Sequence, residues 1–288
     1  MIAVAGGLGA ALCWAFATIA SSRSSKLIGA SAVIGWVMIV GVIAALIPAA
    51  LTPPDRPLAL EAILLAVVAG ATYVTGLYLA YRALTVGPVG IAAPITSTEG
   101  AIAAVIAVVL GEPLGPVAAT MLGLIVLGVV LASIAPSAMD VGATLRRVGS
   151  SRTTALFAAA AAIVFGVGLV ASARSVTQGM PVVWVALVAR LIGVAAFTIP
   201  LAIRHRLPIS RPVVPLVIIA GVGEVLGTSV YTIGAQGGIA IAAIIASQFA
   251  TLATVLAYFI FGERLGRLQM AGVGLVVVGV TALSALSA

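Results

Sequence analysis

Three charged side chains stand inside long apolar stretches of this sequence: Glu99, Arg190 and Glu224. Each lies about ten residues into its stretch, which at roughly 1.5 Å per residue is half of a hydrocarbon layer roughly 30 Å thick. A charge at that depth opposes insertion by about 2.5–3.5 kcal/mol, so the three together oppose it by roughly 8–10 kcal/mol if additive. Each must therefore face protein or water. Arginine keeps its proton, and two acids with one arginine leave one carboxyl without a permanent partner. That carboxyl must be protonated, solvated or met by a cationic ligand. The expectation is that Arg190 pairs with one glutamate while the other takes up and releases a proton, the chemistry of a proton-coupled exchanger. A buried ion-pair network that fixes helix register is the alternative.

Polar neighbours share these faces. Glu224, Thr228 and Tyr231 are spaced i, i+4 and i+7, one side of a helix. Thr96 precedes Glu99 by about one turn. Ser247, Thr251, Thr254 and Tyr258 form a second stripe with Gln248 beside it. Trp14 lies deep in the first stretch, away from the interfacial position usual for tryptophan. Tyr73 completes the candidate substrate- and proton-binding set of Glu99, Arg190, Glu224, Tyr73, Gln248, Thr228, Tyr231, Thr96 and Trp14. Hydroxyls of this kind also bond helices to one another in lipid, and Trp14 also reads as a packing residue.

The elements that must position these groups are membrane helices. Of 288 residues 63% are hydrophobic and 7% charged, with a mean hydropathy of +1.33. A soluble domain carries about 25% charge. Ten apolar spans are expected, at 2–21, 31–51, 58–81, 89–110, 117–134, 154–171, 181–203, 213–234, 239–261 and 268–287. Breakers divide them, among them Gly87-Pro88, Gly111-Glu112-Pro113, Pro208, Pro212 and Gly237-Gly238. The first span has no basic residue before it and reads as a retained helix rather than a signal peptide.

Scarce residue types exclude several chemistries. The single cysteine, Cys13, allows no intramolecular disulfide, and the single histidine, His205, leaves no His/Cys ligand set for a metal. The one lysine, Lys26, follows Ser24-Ser25 rather than a glycine-rich loop, so no P-loop is present. No cofactor is expected, and no catalytic constellation points to an enzyme. The net charge of +7 is scattered over span ends, the habit of membrane loops rather than of a nucleic-acid surface.

The chain repeats itself. Gly111-Glu112-Pro113-Leu114-Gly115 matches Gly262-Glu263-Arg264-Leu265-Gly266 at a shift of 151 positions. The same shift aligns Gly70 with Gly221, Gly76 with Gly227, Gly123 with Gly274, Gly128 with Gly279 and Arg23-Ser24 with Arg174-Ser175. Charged residues are rare here, so the paired glutamates and arginines weigh most. The division is a first five-helix repeat over 1–135, a linker over 136–153 and a second five-helix repeat over 154–288. An odd number of spans in each half inverts the second half, giving an all-α integral membrane protein of ten transmembrane helices in two inverted five-helix repeats. Such architecture is that of many secondary transporters, with the substrate held near the midplane where the repeats meet. Glu99, Arg190 and Glu224 break the repeat, as suits a site for one asymmetric ligand. Glu112 and Glu263 are expected to open the helices that follow them, where a carboxylate favours the dipole. Gly123, Gly128, Gly274 and Gly279 are expected at a close contact of the fifth and tenth spans.

The third span ending Tyr81-Arg82-Ala83-Leu84, Pro94 near the middle of the fourth, the Gly111-Glu112 turn and a glycine-bearing fifth span resemble the EamA-type branch of the drug/metabolite transporter superfamily. The second half repeats the pattern from Tyr231 through Glu263 to Gly279, with Ile245 standing where a second proline is expected. The resemblance covers the whole chain. It implies export of metabolites, amino acids or toxic compounds through a central cavity lined by the first four helices of each half.

The function expected is gradient-driven, proton-coupled export of a small polar or zwitterionic metabolite. A cation/proton drug antiporter and a flippase for a lipid-linked phosphate, its head group on Arg190, are the alternatives. The partners expected are this small molecule, protons and the bilayer of a plasma or inner membrane; monomer and homodimer stay open. Loops after odd-numbered spans hold Arg23, Lys26, Arg82, Arg146, Arg147, Arg152, Arg204, Arg206, Arg211, Arg264 and Arg267, against Arg56 and Arg174 after even-numbered ones. The positive-inside rule then places both termini outside the cytoplasm.

Overall fold

The computed structural model describes residues 1–55, 57–86, 92, 95–133, 148–253, 270–272, 274–275, 278–279 and 282. Gly87-Pro88, Pro94, Asp140, Arg146, Arg147, Thr254, Tyr258, Glu263, Arg264, Arg267 and most of the tenth span lie outside them, as does Arg56. All regular structure among the described residues is helical. The helices are α1 (Ile2–Ile28), α2 (Ala30–Leu51), α3 (Leu60–Val86), α4 (Glu99–Val109), α5 (Pro116–Ser133), α6 (Val148–Thr177), α7 (Val182–Gly193), α8 (Ile199–Ile203), α9 (Val213–Ala235) and α10 (Ile239–Ala246). A single residue, Gly29 at φ 86°, turns the chain from α1 into α2, a backbone conformation that glycine adopts without strain.

Six helical stretches among the described residues are long and apolar enough to cross a membrane: Ile2–Ser25, Ala30–Leu51, Leu60–Ala83, Arg152–Thr177, Val182–Ile203 and Val213–Ala235. Their outward faces are apolar, with Ile47 69%, Leu51 77% and Ile203 73% exposed, while Arg190 is 0% exposed. Water would reject such a surface, but hydrocarbon solvates it. The protein is a multi-pass membrane protein.

Several helices depart from the expected spans. α6 starts at Val148, inside the segment expected to be linker, and α1 and α3 run past their expected ends. The fourth and ninth stretches are interrupted near their middles. Turns at Ser97-Thr98 and Ser247-Gln248 replace helical bonds with tighter ones, from Thr98 N to Ile95 O (3.2 Å) and from Gln248 N to Ile245 O (3.1 Å). Side chains bond to carbonyls at both turns: Thr98 Oγ1 donates to Ile95 O, the carbonyl its own N–H uses, and Ser247 Oγ to Ile244 O. In the seventh stretch a π turn, Val194–Thr198, joins α7 to α8 through a bond from Ile199 N to Val194 O. Pro200 has no N–H to offer Ala196, so the ladder slips by one residue there.

The packing is reciprocal. α1 lies along α9 and α3 along α6; α3 also meets α7 as α2 meets α9. Small residues let the backbones touch: a Cβ on Gly6 would collide with Gly234, and one on Gly9 would come within 2.8 Å of Val230 Cγ1. Gly76 seats the Phe165 ring, and Gly227 seats the Trp14 indole. Each of these contacts becomes the other when its two positions move by 151 in opposite directions. Of the glycines expected between the fifth and tenth spans, Gly279 meets Ile125, whereas Gly123 and Gly274 meet nothing within 4 Å among the described residues.

Glu112 does not serve the helix that follows it. Its carboxylate accepts N–H bonds from Ile239 (3.0 Å) and Ala240 (3.1 Å), the first residues of α10. Apolar α10 has no capping side chain of its own, and Gly238 before it stands at φ 138°. A carboxylate from the other half of the chain satisfies two of its free N–H groups.

Candidate functional site

The bundle encloses a cavity of about 140 Å³, lined by Trp14, Tyr73, Thr96, Glu99, Arg190, Glu224, Thr228 and Tyr231 together with apolar and aromatic residues. Eight of the nine expected site residues therefore meet on one surface. The ninth, Gln248, does not: it is 1% exposed, and its Nε2 donates to Ile244 O at 3.0 Å. It ties the interruption in its own helix, which is why a polar residue at that depth stays off the cavity wall.

Arg190 projects from α7, and its stem lies in a groove opened by Gly41 of α2. A Cβ on Gly41 would stand 2.8 Å from Arg190 Cδ and 2.9 Å from Cγ and Nε. The guanidinium lies over the Tyr73 ring, with Cζ 4.3 Å from the ring centroid. Tyr73, on α3, donates its hydroxyl proton to Glu224 Oε2 on α9 at 2.8 Å. The expected hydrogen-bonded ion pair of Arg190 with a glutamate is not formed. The tyrosine stands between the two charges, offering its face to one and its hydroxyl to the other. Nε, Nη1 and Nη2 of Arg190 are all buried without a hydrogen-bond partner.

Glu99 is the first residue of α4, just after the Ser97-Thr98 turn, and it is 5% exposed. The sequence places it in mid-span; the interruption makes mid-span a helix N-terminus, where a carboxylate meets the positive end of the dipole. Thr96 lines the cavity before that turn. On α9, Thr228 Oγ1 donates to the Glu224 backbone carbonyl at 2.8 Å, and Tyr231 donates to Leu169 O of α6 at 3.2 Å. Both hydroxyls are thus engaged within the bundle while their side chains form wall.

Aromatic rings make up much of that wall. The Trp14 ring lies 6.0 Å from Tyr231 and 6.5 Å from Phe249, and Phe165 lies 6.3 Å from Tyr73. Trp184 bonds its indole N–H to Ala49 O and Thr52 O, and Trp36 bonds to Pro208 O. Those two sit at span ends; Trp14 belongs to the cavity.

Thr18, Ser22, Tyr81, Phe165, Ser172 and Phe249, outside the expected set, also line the cavity. A signal was there for some of them. Trp14, Thr18 and Ser22 are spaced by four, one face of α1. Tyr81 and Phe249 carried no such mark, because an aromatic residue in an apolar helix is as often core.

Among the described residues no group of three His, Cys, Asp or Glu side chains is placed to hold a metal ion. No curated protein matches the chain. A solved structure, described as "Crystal structure of protein", shares the fold with a TM-score of 0.78 over 99% of each chain at 19% identity. The model of the EamA-like transporter family matches twice, over residues 1–134 and again over residues 152–285. Long apolar helices around a cavity bearing polar groups agree with that match, and the chain belongs to the EamA-like transporter family of the drug/metabolite transporter superfamily, membrane proteins that carry small molecules.

Proposed function

We propose that this protein is a gradient-driven, proton-coupled secondary transporter that exports a small polar or zwitterionic metabolite such as an amino acid or amine. The observation that carries the reading is the meeting of Glu99, Arg190 and Glu224 on one cavity. Insertion into hydrocarbon disfavours each of them, and a packed scaffold would not need all three beside open space. The arginine charge is permanent, so a change of cavity charge with pH has to come from a carboxyl. Ligand and proton then exclude or require one another at the same surface.

The architecture proposed with it is two inverted five-helix repeats, 1–135 and 154–288, in a plasma or inner membrane with both termini outside. Reciprocal contacts support the repeat: Gly76 with Phe165 and Gly227 with Trp14, α3 with α6 and α1 with α9. Tyr73 and Glu224, 151 positions apart, touch one another. Equivalent positions of two halves meet only near the axis that relates those halves. A site on that axis is exposed to either side as the halves exchange conformations.

The test uses proteoliposomes bearing a pH gradient and a panel of radiolabelled amino acids and amines. Gradient-driven flux is expected in the parent protein. In Glu99→Gln or Glu224→Gln, whichever is the coupling residue, gradient dependence should vanish while exchange of labelled for unlabelled substrate persists. Unchanged pH dependence in both variants would overturn proton coupling.

A further inference from the structure

We infer that the molecule bound in the cavity carries an oxyanion, which docks on Arg190, and an apolar body, which lies among the aromatic rings. The inference rests on the cavity being the transport site and names the class of substrate it takes.

The guanidinium has five N–H donors on a planar edge, and it does not lose its charge. Its face is covered by the Tyr73 ring. Its three nitrogens are buried and have no hydrogen-bond partner. Glu224, whose Oε2 accepts the Tyr73 hydroxyl at 2.8 Å, makes no hydrogen bond to the guanidinium. Arg190 itself is 0% exposed and lines the cavity. A buried charge left this way is strongly unfavourable unless something pairs with it. Among the described residues no group accepts a hydrogen bond from the guanidinium. A ligand group must, and the one that matches a fork of parallel N–H donors is a carboxylate or a phosphate.

Gly41 bears on the same point. The Arg190 stem occupies the space a side chain would take at that position. The guanidinium is thereby held over Tyr73 at the cavity wall. Much of the remaining wall is aromatic, from Trp14, Phe165, Tyr231 and Phe249, beside polar groups such as Glu99 and Thr228. A purely cationic amine would find aromatic surface here but would also meet the unpaired guanidinium. An amine without an acid group could meet Glu99 or Glu224 but would leave that guanidinium without a partner.

Two sources supply an oxyanion with an apolar body, a soluble carboxylic acid and a lipid head-group phosphate. Isothermal titration on the full chain in nanodiscs separates them with three probes: 3-phenylpropionate, 3-phenylpropylamine and dihexanoyl phosphatidate. At least one anion is expected to bind at least roughly tenfold more tightly than the amine, since a bidentate charge-assisted pair is lost with the amine. Whichever anion binds names the source. Arg190→Gln should abolish that binding. Arg190→Lys keeps the charge without the fork, guards against a folding defect and should weaken binding roughly tenfold. Amine binding as tight as that of the better anion, anion binding unchanged in both variants, or no binding of either anion would overturn the inference. Flux separates it from the transport reading. Arg190-dependent anion binding without gradient-driven flux leaves the oxyanion site standing and removes transport. Gradient-driven flux of 3-phenylpropylamine that survives Arg190→Gln does the reverse.

Discussion

Gly41 shows how little room the central side chains have. It contributes no chemistry, yet the Arg190 stem runs through the space its missing side chain leaves. Gly41→Ala adds one methyl group against Cδ, Cγ and Nε, and overpacking of this kind shifts side chains at about 1–3 kcal/mol. The variant is expected to remain monodisperse in size-exclusion chromatography while flux falls roughly tenfold or more as the guanidinium leaves Tyr73. Full flux would mean that the position of Arg190 is immaterial. At this scale the sequence was legible where residue type conflicts with surroundings. Glu99, Arg190 and Glu224 stand out because charge is scarce in an apolar chain. Their mutual arrangement was not legible, since spacing along helices says nothing of the tyrosine that separates Arg190 from Glu224. Gln248 stands off the cavity for a related reason: a polar side chain in lipid also bonds to a helix interrupted beside it.

Between elements, the link from Glu112 to α10 joins segments 127 positions apart. It replaces the capping side chain that α10 lacks. Glu112→Ala frees the N–H groups of Ile239 and Ala240, and the expected loss is about 1–2 kcal/mol. Glu112→Gln keeps one acceptor oxygen and should lose less. Chemical denaturation in mixed micelles checks both, and equal stability of all three proteins would show that the contact contributes nothing. The long helices were legible because each needs about 20 apolar residues to cross the bilayer. The interruptions at Ser97-Thr98 and Ser247-Gln248 were not, because serine and threonine are also ordinary helix residues in lipid. Pro200 was a visible cue for the π turn, although a proline alone does not say whether a helix kinks, ends or slips by one residue.

At the scale of the whole molecule, the proposed repeat rests on the two Gly-Glu turns, where chance agreement of charged residues is improbable in so apolar a chain, and the family model matches the chain twice. Orientation rests on the arginines of the loops. A cysteine placed at position 288 in a Cys13→Ser background is expected to react with an impermeant maleimide added to intact cells. Labelling only after permeabilisation would reverse the orientation.

The partnership of Tyr73 with Glu224 also sets a timetable. The two residues leave the ribosome 151 positions apart, roughly 8 to 30 s at roughly 5–20 residues per second. α1 waits longer still for α9, and Glu112 precedes the helix it caps. Throughout that interval the first half stands in the membrane with glycine faces uncovered and Glu99 without the walls of its cavity. The nascent half is therefore expected to depend on insertases and to be open to membrane proteases until its counterpart arrives. Separate synthesis of residues 1–135 and 136–288 tests this. The halves are expected to copurify when produced together, and the first half to be degraded when produced alone. A first half that accumulates stably by itself would show that it needs no such rescue.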